Sequence, residues 1–146
     1  IKTGQVVGQL QNGIMVMIET EQNGWYKISS PQTGWIAKQR TERRCNQKVE
    51  RIQFGAQAQS SLIQDRFIGT GSHSYKFQAN KGQVMTITRL SGPFPSVQAP
   101  DGTLLRPLSD DNQPDWSQTL PQTGTYAVQL ESNYKGYLYR FRIEIE

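Results

Sequence analysis

The sequence predicts an all-β chain in two modules, the second of them an antiparallel β-sandwich. Three observations lead there. Thirteen Gly and seven Pro in 146 residues punctuate the chain too often for long helices, while 35% hydrophobic content suffices for a core. Short runs alternate apolar and polar residues with the period of two expected of half-buried strands. The alternation lapses between Gln39 and Lys48, where Cys45 alone interrupts polar and charged residues, so the chain divides into residues 1–45 and 46–146.

In the first module, Ile14 to Ile18 is an apolar run following Gly8-Gln9-Leu10-Gln11-Asn12-Gly13. Asn23-Gly24-Trp25-Tyr26-Lys27-Ile28 and Thr33-Gly34-Trp35-Ile36 then open two strands on Gly-Trp pairs, joined by the polar turn Ser29-Ser30-Pro31-Gln32. These landmarks, over about residues 6–39, resemble a bacterial SH3-type domain, a binding module of exported bacterial proteins. The resemblance implies a small SH3-like barrel. Only Ile1 to Gly4 stands where the family's first strand begins, so the barrel is expected to be open, or to take its missing strand from the segment after Gln39. A start at Ile1, just before a strand, suggests processing or trimming.

In the second module, Ser74 to Ala79 alternates, Asn80-Lys81-Gly82 turns, and Gln83 to Leu90 extends again, which reads as a hairpin. Tyr126, Val128 and Leu130 share one face of a later strand. Tyr137, Tyr139, Phe141, Ile143 and Ile145 share one face of the last, and these two strands are expected to pair through the turn near Asn133-Tyr134-Lys135-Gly136. Phe77-x-Ala79-x-x-Gly82-Gln83, Pro100-Asp101-Gly102-Thr103-Leu104-Leu105 and Leu120-Pro121-x-x-Gly124-x-Tyr126, with Trp116 ahead of the last, resemble the pre-peptidase C-terminal type of β-sandwich. That family is commonly appended to secreted bacterial enzymes. Together the two resemblances imply an exported, cyanobacterial-type bacterial protein working outside the cytoplasm, periplasmic or secreted.

Catalytic chemistry is thinly supplied. The single histidine, His73, lies among Gly69-Thr70-Gly71-Ser72 and Ser74 and reads as exposed or capping a strand, since nucleophilic catalysis needs a base in reach and a third group to orient it. One Cys and one His cannot furnish a zinc site, no phosphate loop is present, and no cofactor is expected. Asp110-Asp111-Asn112-Gln113-Pro114-Asp115 offers oxygen ligands of the kind calcium takes, without the alternating order and distal glutamate of a calcium loop. A solvated loop is the plainer reading. No apolar run is long enough to span a membrane.

The charge is uneven. Residues 1–49 carry seven Lys and Arg against Glu19, Glu21 and Glu42, whereas residues 50–146 carry nine of each sign. The excess gathers in residues 38–51, which hold Lys38, Arg40, Arg43, Arg44, Lys48 and Arg51 and read either as a solvated linker or as a polyanion-binding segment with steep salt dependence. If Trp25 to Ile28 is extended, Tyr26 and Ile28, with Ile36, face the core, leaving Trp25, Lys27 and Trp35 on the other side beside Lys38 and Arg40. Flat rings next to cations suit a sugar or an anionic ligand. The leading expectation is therefore a non-enzymatic, extracytoplasmic binding or adaptor protein that contacts cell-wall glycan or an envelope protein through Trp25, Lys27, Trp35, Lys38 and Arg40. The alternatives are the polyanion binder, with nucleic acid the less expected ligand, and an accessory region of a secreted hydrolase.

Overall fold

The computed structural model describes residues 4–54, 59–109 and 112–146. They form strands, one 3-10 turn and no α-helix, gathered in two compact units, Ile1–Cys45 and Asn46–Glu146. The first unit is a three-stranded antiparallel sheet of β1 (Met17–Gln22), β2 (Trp25–Ser30) and β3 (Gly34–Ala37), in that order. It does not close into a barrel. The segment after Gln39 adds no strand to it: Lys38–Arg40 is a 3-10 turn, and the next strand, β4 (Lys48–Arg51), belongs to the second unit. Asn23 (φ 49°) and Gly24 (φ 78°) make the β1–β2 turn in the left-handed region, which Asn and Gly tolerate best.

The second unit is a sandwich. One sheet runs β4, β6 (Ser72–Ala79), β11 (Gly124–Glu131), β8 (Ser96–Gln98), β9 (Leu104–Arg106), and the other runs β10 (Asp115–Thr119), β7 (Val84–Ser91), β12 (Tyr137–Ile145), β5 (Ser60–Phe67). All pairings are antiparallel except β4 with β6, which is parallel. Tyr75, Phe77, Tyr126, Val128 and Leu130 from one sheet meet Ile63, Phe67, Met85, Ile87, Tyr139, Phe141 and Ile143 from the other in one continuous core. Phe67, Met85, Ile87, Tyr126, Val128, Leu130 and Ile143 are wholly buried.

Both expected hairpins of this unit are absent. β6 pairs with β4 and β11, and β7 with β10 and β12, so the turn at residues 80–82 carries the chain from one sheet to the other. β11 and β12 likewise lie in opposite sheets. Two consecutive strands with one apolar face each can bury those faces side by side or face to face. In this chain they do the second, and their aromatic residues interdigitate between the sheets. The core is therefore assembled from sequence neighbours across the layer as well as along it.

Gly92 permits the bulge at which β7 meets β12, where the register shifts between Arg140 and Phe141. Its φ is +78°, and a Cβ there would collide with the Leu138 carbonyl oxygen and lie 2.9 Å from Tyr139 Cα. Neither neighbour is a flexible side-chain end. Gly92→Ala is expected to destabilise the sandwich by about 2 kcal/mol or more, combining a left-handed alanine with backbone displacement. Urea unfolding checks this, and wild-type stability in the variant would refute it.

Candidate functional site

Two clusters bring polar or aromatic chemistry together, one in each unit. In the first, the antiparallel register sets Lys27 directly opposite Trp35 and Trp25 opposite Ala37. The strand period of two then places Trp25, Lys27 and Trp35 on one face, with both tryptophans exposed, 37% and 46%. Tyr26 and Ile28 are buried on the other face, and Ile36 is half-buried opposite Tyr26. Lys38 goes with that second group. Its Nζ lies 5.4 Å from the Tyr26 ring centroid and hydrogen-bonds Glu21, the cross-strand neighbour of Tyr26, and this bond raises the lysine's pKa. Arg40 sits exposed in the 3-10 turn that Gly24 anchors by accepting from the Lys38 backbone N–H. The five expected residues therefore separate: three share a face, Lys38 serves the opposite one, and Arg40 lies beyond the strands.

Three cations of this unit have acids beside them, while Arg40 and Arg43 form no ion pair with a described residue. Lys27 pairs with Glu19 at 3.0 Å, Lys38 with Glu21 and Arg44 with Glu42. Lys48, assigned to the basic segment, is drawn into the sandwich. Exposed pairs of this kind contribute little to stability, because solvent screens them. They do, however, occupy Lys38, Arg44 and Lys48, three of the six cations on which a polyanion reading of residues 38–51 relies.

The second cluster surrounds His73, which is 2% exposed rather than capping a strand at the surface. Its alternation with Tyr75 and Phe77 turns it inward, where it stacks on Phe67 at 4.4 Å between centroids. Across from it, β4 and β5 are the edge strands of their sheets, and Lys48 Nζ donates to Asp65 Oδ2 at 2.8 Å and pairs with Glu50 at 3.2 Å. A lysine ammonium only donates, so Tyr75 Oη, 3.4 Å away, accepts from it. Tyr75 Oη and Tyr139 Oη are hydrogen-bonded at 2.5 Å, and Tyr139 Oη and His73 Nδ1 at 2.6 Å, so the run from Lys48 to His73 is continuous. The other ring nitrogen, His73 Nε2, is buried without a hydrogen-bond partner.

Electrostatics follow from this order. Burial alone would lower the Lys48 pKa, but the bonds to Asp65 and Glu50 raise it above the usual lysine value. Burial likewise opposes ionisation of Asp65, yet Lys48 and the Arg66 backbone N–H hold its pKa below the carboxylate norm. Burial lowers His73, with Asp65 only partly opposing it, and burial raises both Tyr75 and Tyr139. The imidazole is thus a neutral, fixed member of the core. Nothing in its surroundings resembles a nucleophile aligned for attack.

Metal chemistry has no footing among the described residues, where no three His, Cys, Asp or Glu side chains gather as ligands. Asp110 and Asp111 of the acidic stretch lie outside the described residues. No described helix is long and apolar enough to cross a membrane. Cys45 is exposed and unpaired by any disulfide.

The sandwich geometry has solved counterparts. A periplasmic lysozyme inhibitor of g-type lysozyme from Aeromonas hydrophila, PliG, is similar with a TM-score of 0.59 and 20% identity, over 70% of this chain and 100% of that one. PliG of Salmonella Typhimurium is similar with a TM-score of 0.53 and 23% identity, over 68% of this chain and 98% of its own. The pre-peptidase C-terminal domain of a Bacillus anthracis collagenase is a looser likeness, at 9% identity and a TM-score of 0.41 over 73% of this chain. No protein-family model and no curated protein sequence matches the chain. At these identities the likeness to the inhibitors is one of fold.

The buried imidazole makes stability depend on pH. An unfolded chain takes up a proton at His73 as pH falls through about 6.5, while the folded chain, with its depressed pKa, does not. Stability is therefore lost on acidification from about pH 7 towards pH 5, by at most about 1.4 kcal/mol per pH unit for one group. Asp65 adds a loss of the same sign below its ordinary 3.8. Urea unfolding at several pH values should show the slope in the wild type and a flatter profile in His73→Leu. Equal slopes would mean that the imidazole titrates freely.

The two faces of β2 differ in what their loss should cost. Tyr26→Ala is expected to destabilise the small sheet by about 3–5 kcal/mol, and Trp25→Ala by about 1 kcal/mol or less. Amide exchange in β1 to β3 separates them: strong loss of protection in Trp25→Ala with none in Tyr26→Ala would reverse the assignment of faces.

Proposed function

We propose that this chain is a non-enzymatic binding protein of the bacterial envelope, working outside the cytoplasm, with residues 1–45 and 46–146 as separate domains. The observation that carries the reading is the sandwich's likeness to periplasmic inhibitors of g-type lysozyme, proteins that act by binding another protein. The fate of His73 agrees with it, because the chain's only imidazole is held in the core by Tyr139 and Phe67. A wall-lytic enzyme of the g-type lysozyme class is the partner this likeness favours. The first domain, read as an SH3-type module reduced to three strands, adds a second contact through Trp25, Lys27 and Trp35, and their exposed rings on one face favour wall glycan as its ligand. Arg40 lies beyond the strands in the 3-10 turn, whereas Lys38 supports the sheet from the opposite face. The salt-sensitive polyanion reading is weaker, since Lys38, Arg44 and Lys48 are all ion-paired.

The test is turbidity clearing of wall suspensions by a g-type lysozyme with stoichiometric amounts of the chain. Clearing should slow with the chain present, and the chain alone should clear nothing. Unchanged lysozyme activity, with no complex by calorimetry, would remove lysozyme as the partner. Hydrolysis by the chain itself, lost in His73→Ala, would overturn the non-enzymatic reading.

A further inference from the structure

β12 buries Tyr139, Phe141, Ile143 and Ile145 and turns Leu138, Arg140 and Arg142 outward. The register with β5 sets Leu138 opposite Arg66, Arg140 opposite Gln64 and Arg142 opposite Leu62, while on the other flank Arg140 meets Ser91 and Arg142 meets Thr88 of β7. Opposite side chains on one sheet face lie about 5 Å apart and diagonal ones about 7 Å. Arg140, Arg142, Leu62 and Leu138 thus form one patch, and its leucines are 48% and 59% exposed. Neither Arg140 nor Arg142 forms an ion pair with a described residue. The register puts Glu144 and Asp115 nearest on this face, and neither closes on them.

The loop leading into β12 adds an aromatic tip. Tyr134 is 86% exposed and has φ 62°, a left-handed conformation unfavourable to a residue with a Cβ. It is held there because its N–H donates to Ser132 Oγ, the Ser132 hydroxyl donates to the Gly69 carbonyl, and the Lys135 and Gly136 N–H groups both donate to Asn133 Oδ1. The loop thus fixes an exposed ring and the Lys135 charge at the end of the sheet where Leu138 lies.

We propose that this outer face of the four-stranded sheet docks an acidic polypeptide in which carboxylates alternate with apolar residues. The rest of the patch follows from that chemistry. Guanidinium forks match carboxylates in two parallel hydrogen bonds. Leu62 and Leu138 gain nothing from a bare polyanion but bury apolar side chains of a peptide, and Tyr134 supplies the kind of rigid aromatic anchor that protein interfaces favour. The proposal rests on the protein-binding reading above and names the surface and the partner's chemistry.

The experiment uses the full chain and two probes, poly-L-glutamate and a glutamate–leucine copolypeptide, with binding followed by calorimetry at low salt. The wild type should bind the copolypeptide more tightly. Arg140→Glu with Arg142→Glu should weaken both probes by about tenfold or more. Leu62→Ser with Leu138→Ser should weaken the copolypeptide alone, and Lys81→Glu, in the exposed turn after β6, should change neither. Tyr134→Gly should weaken copolypeptide binding while raising resistance to urea, since glycine relieves the left-handed strain. An arginine double variant that binds like the wild type, a wild type that binds neither probe, or tighter binding of a DNA duplex or anionic vesicle through the same arginines would overturn the assignment. The lysozyme assay separates the two readings. Failure to inhibit lysozyme with this binding pattern intact removes only the lysozyme partner, whereas inhibition with the arginines dispensable to both probes removes only the face.

Discussion

The sandwich depends on how its open rim is closed. β4 and β5 are edge strands, and Lys48 of β4 joins them by pairing with Asp65 of β5, with Glu50 flanking it on its own strand. β4 is inverted for this purpose: Val49 points out and is 66% exposed, while Lys48 points in. Inward charge on an edge strand discourages pairing with another chain, because any new strand would have to accommodate or expel it. The lysine also ends a run of hydrogen bonds that continues from Tyr75 through Tyr139 to His73. Removing one partner would leave a partly buried charge or a phenol unsatisfied, which costs more than the pair gains.

That arrangement bears on function as well as stability. Lys48, Asp65, Tyr75, Tyr139 and His73 are committed to one another across the two sheets. Tyr126 is committed in the same way, its hydroxyl donating to the Gln122 carbonyl and accepting the Gln122 N–H. Alternate positions of each strand face outward and are free to vary without repacking the interior.

Much of this was legible in the sequence, and the gaps have physical causes. The period of two on β6, β11 and β12 separated core from surface residue by residue, and it placed Tyr26 and Ile28 opposite Trp25 and Lys27. Strand pairing was not legible, because an apolar face is satisfied equally by a neighbour in the same sheet or by one across the core. His73 was misjudged although a signal existed: it falls on the same parity as Tyr75 and Phe77, so alternation alone places it inside. Nothing local marked Lys48 and Asp65 as partners, since they come from different sheets and each stands in an ordinary polar run. Lys38 was misplaced for a further reason. The 3-10 turn after β3 breaks the strand period and carries its side chain to the Tyr26 face.

Formal charge would send a search for an acidic partner to residues 1–49, where the whole excess lies, yet among the described cations there only Arg40 and Arg43 stand without an ion pair. All three acids of that stretch are engaged by its own cations, and Lys48 is spent on the rim of the sandwich. Pairing does not change net charge, so the long-range field of that segment survives, but beyond about 10 Å it is screened at ordinary salt. Recognition at contact distance needs cations whose hydrogen bonds are still to be made. On β12, Arg140 and Arg142 meet that condition within a sheet whose total charge is unremarkable. The balance of nine cations and nine acids in residues 50–146 conceals this because the acids are distributed elsewhere: Asp65 faces inward to Lys48, and Asp101 is held by Thr103 and Gln122. Local placement, set by strand parity and register, therefore decides which charges remain available to a partner.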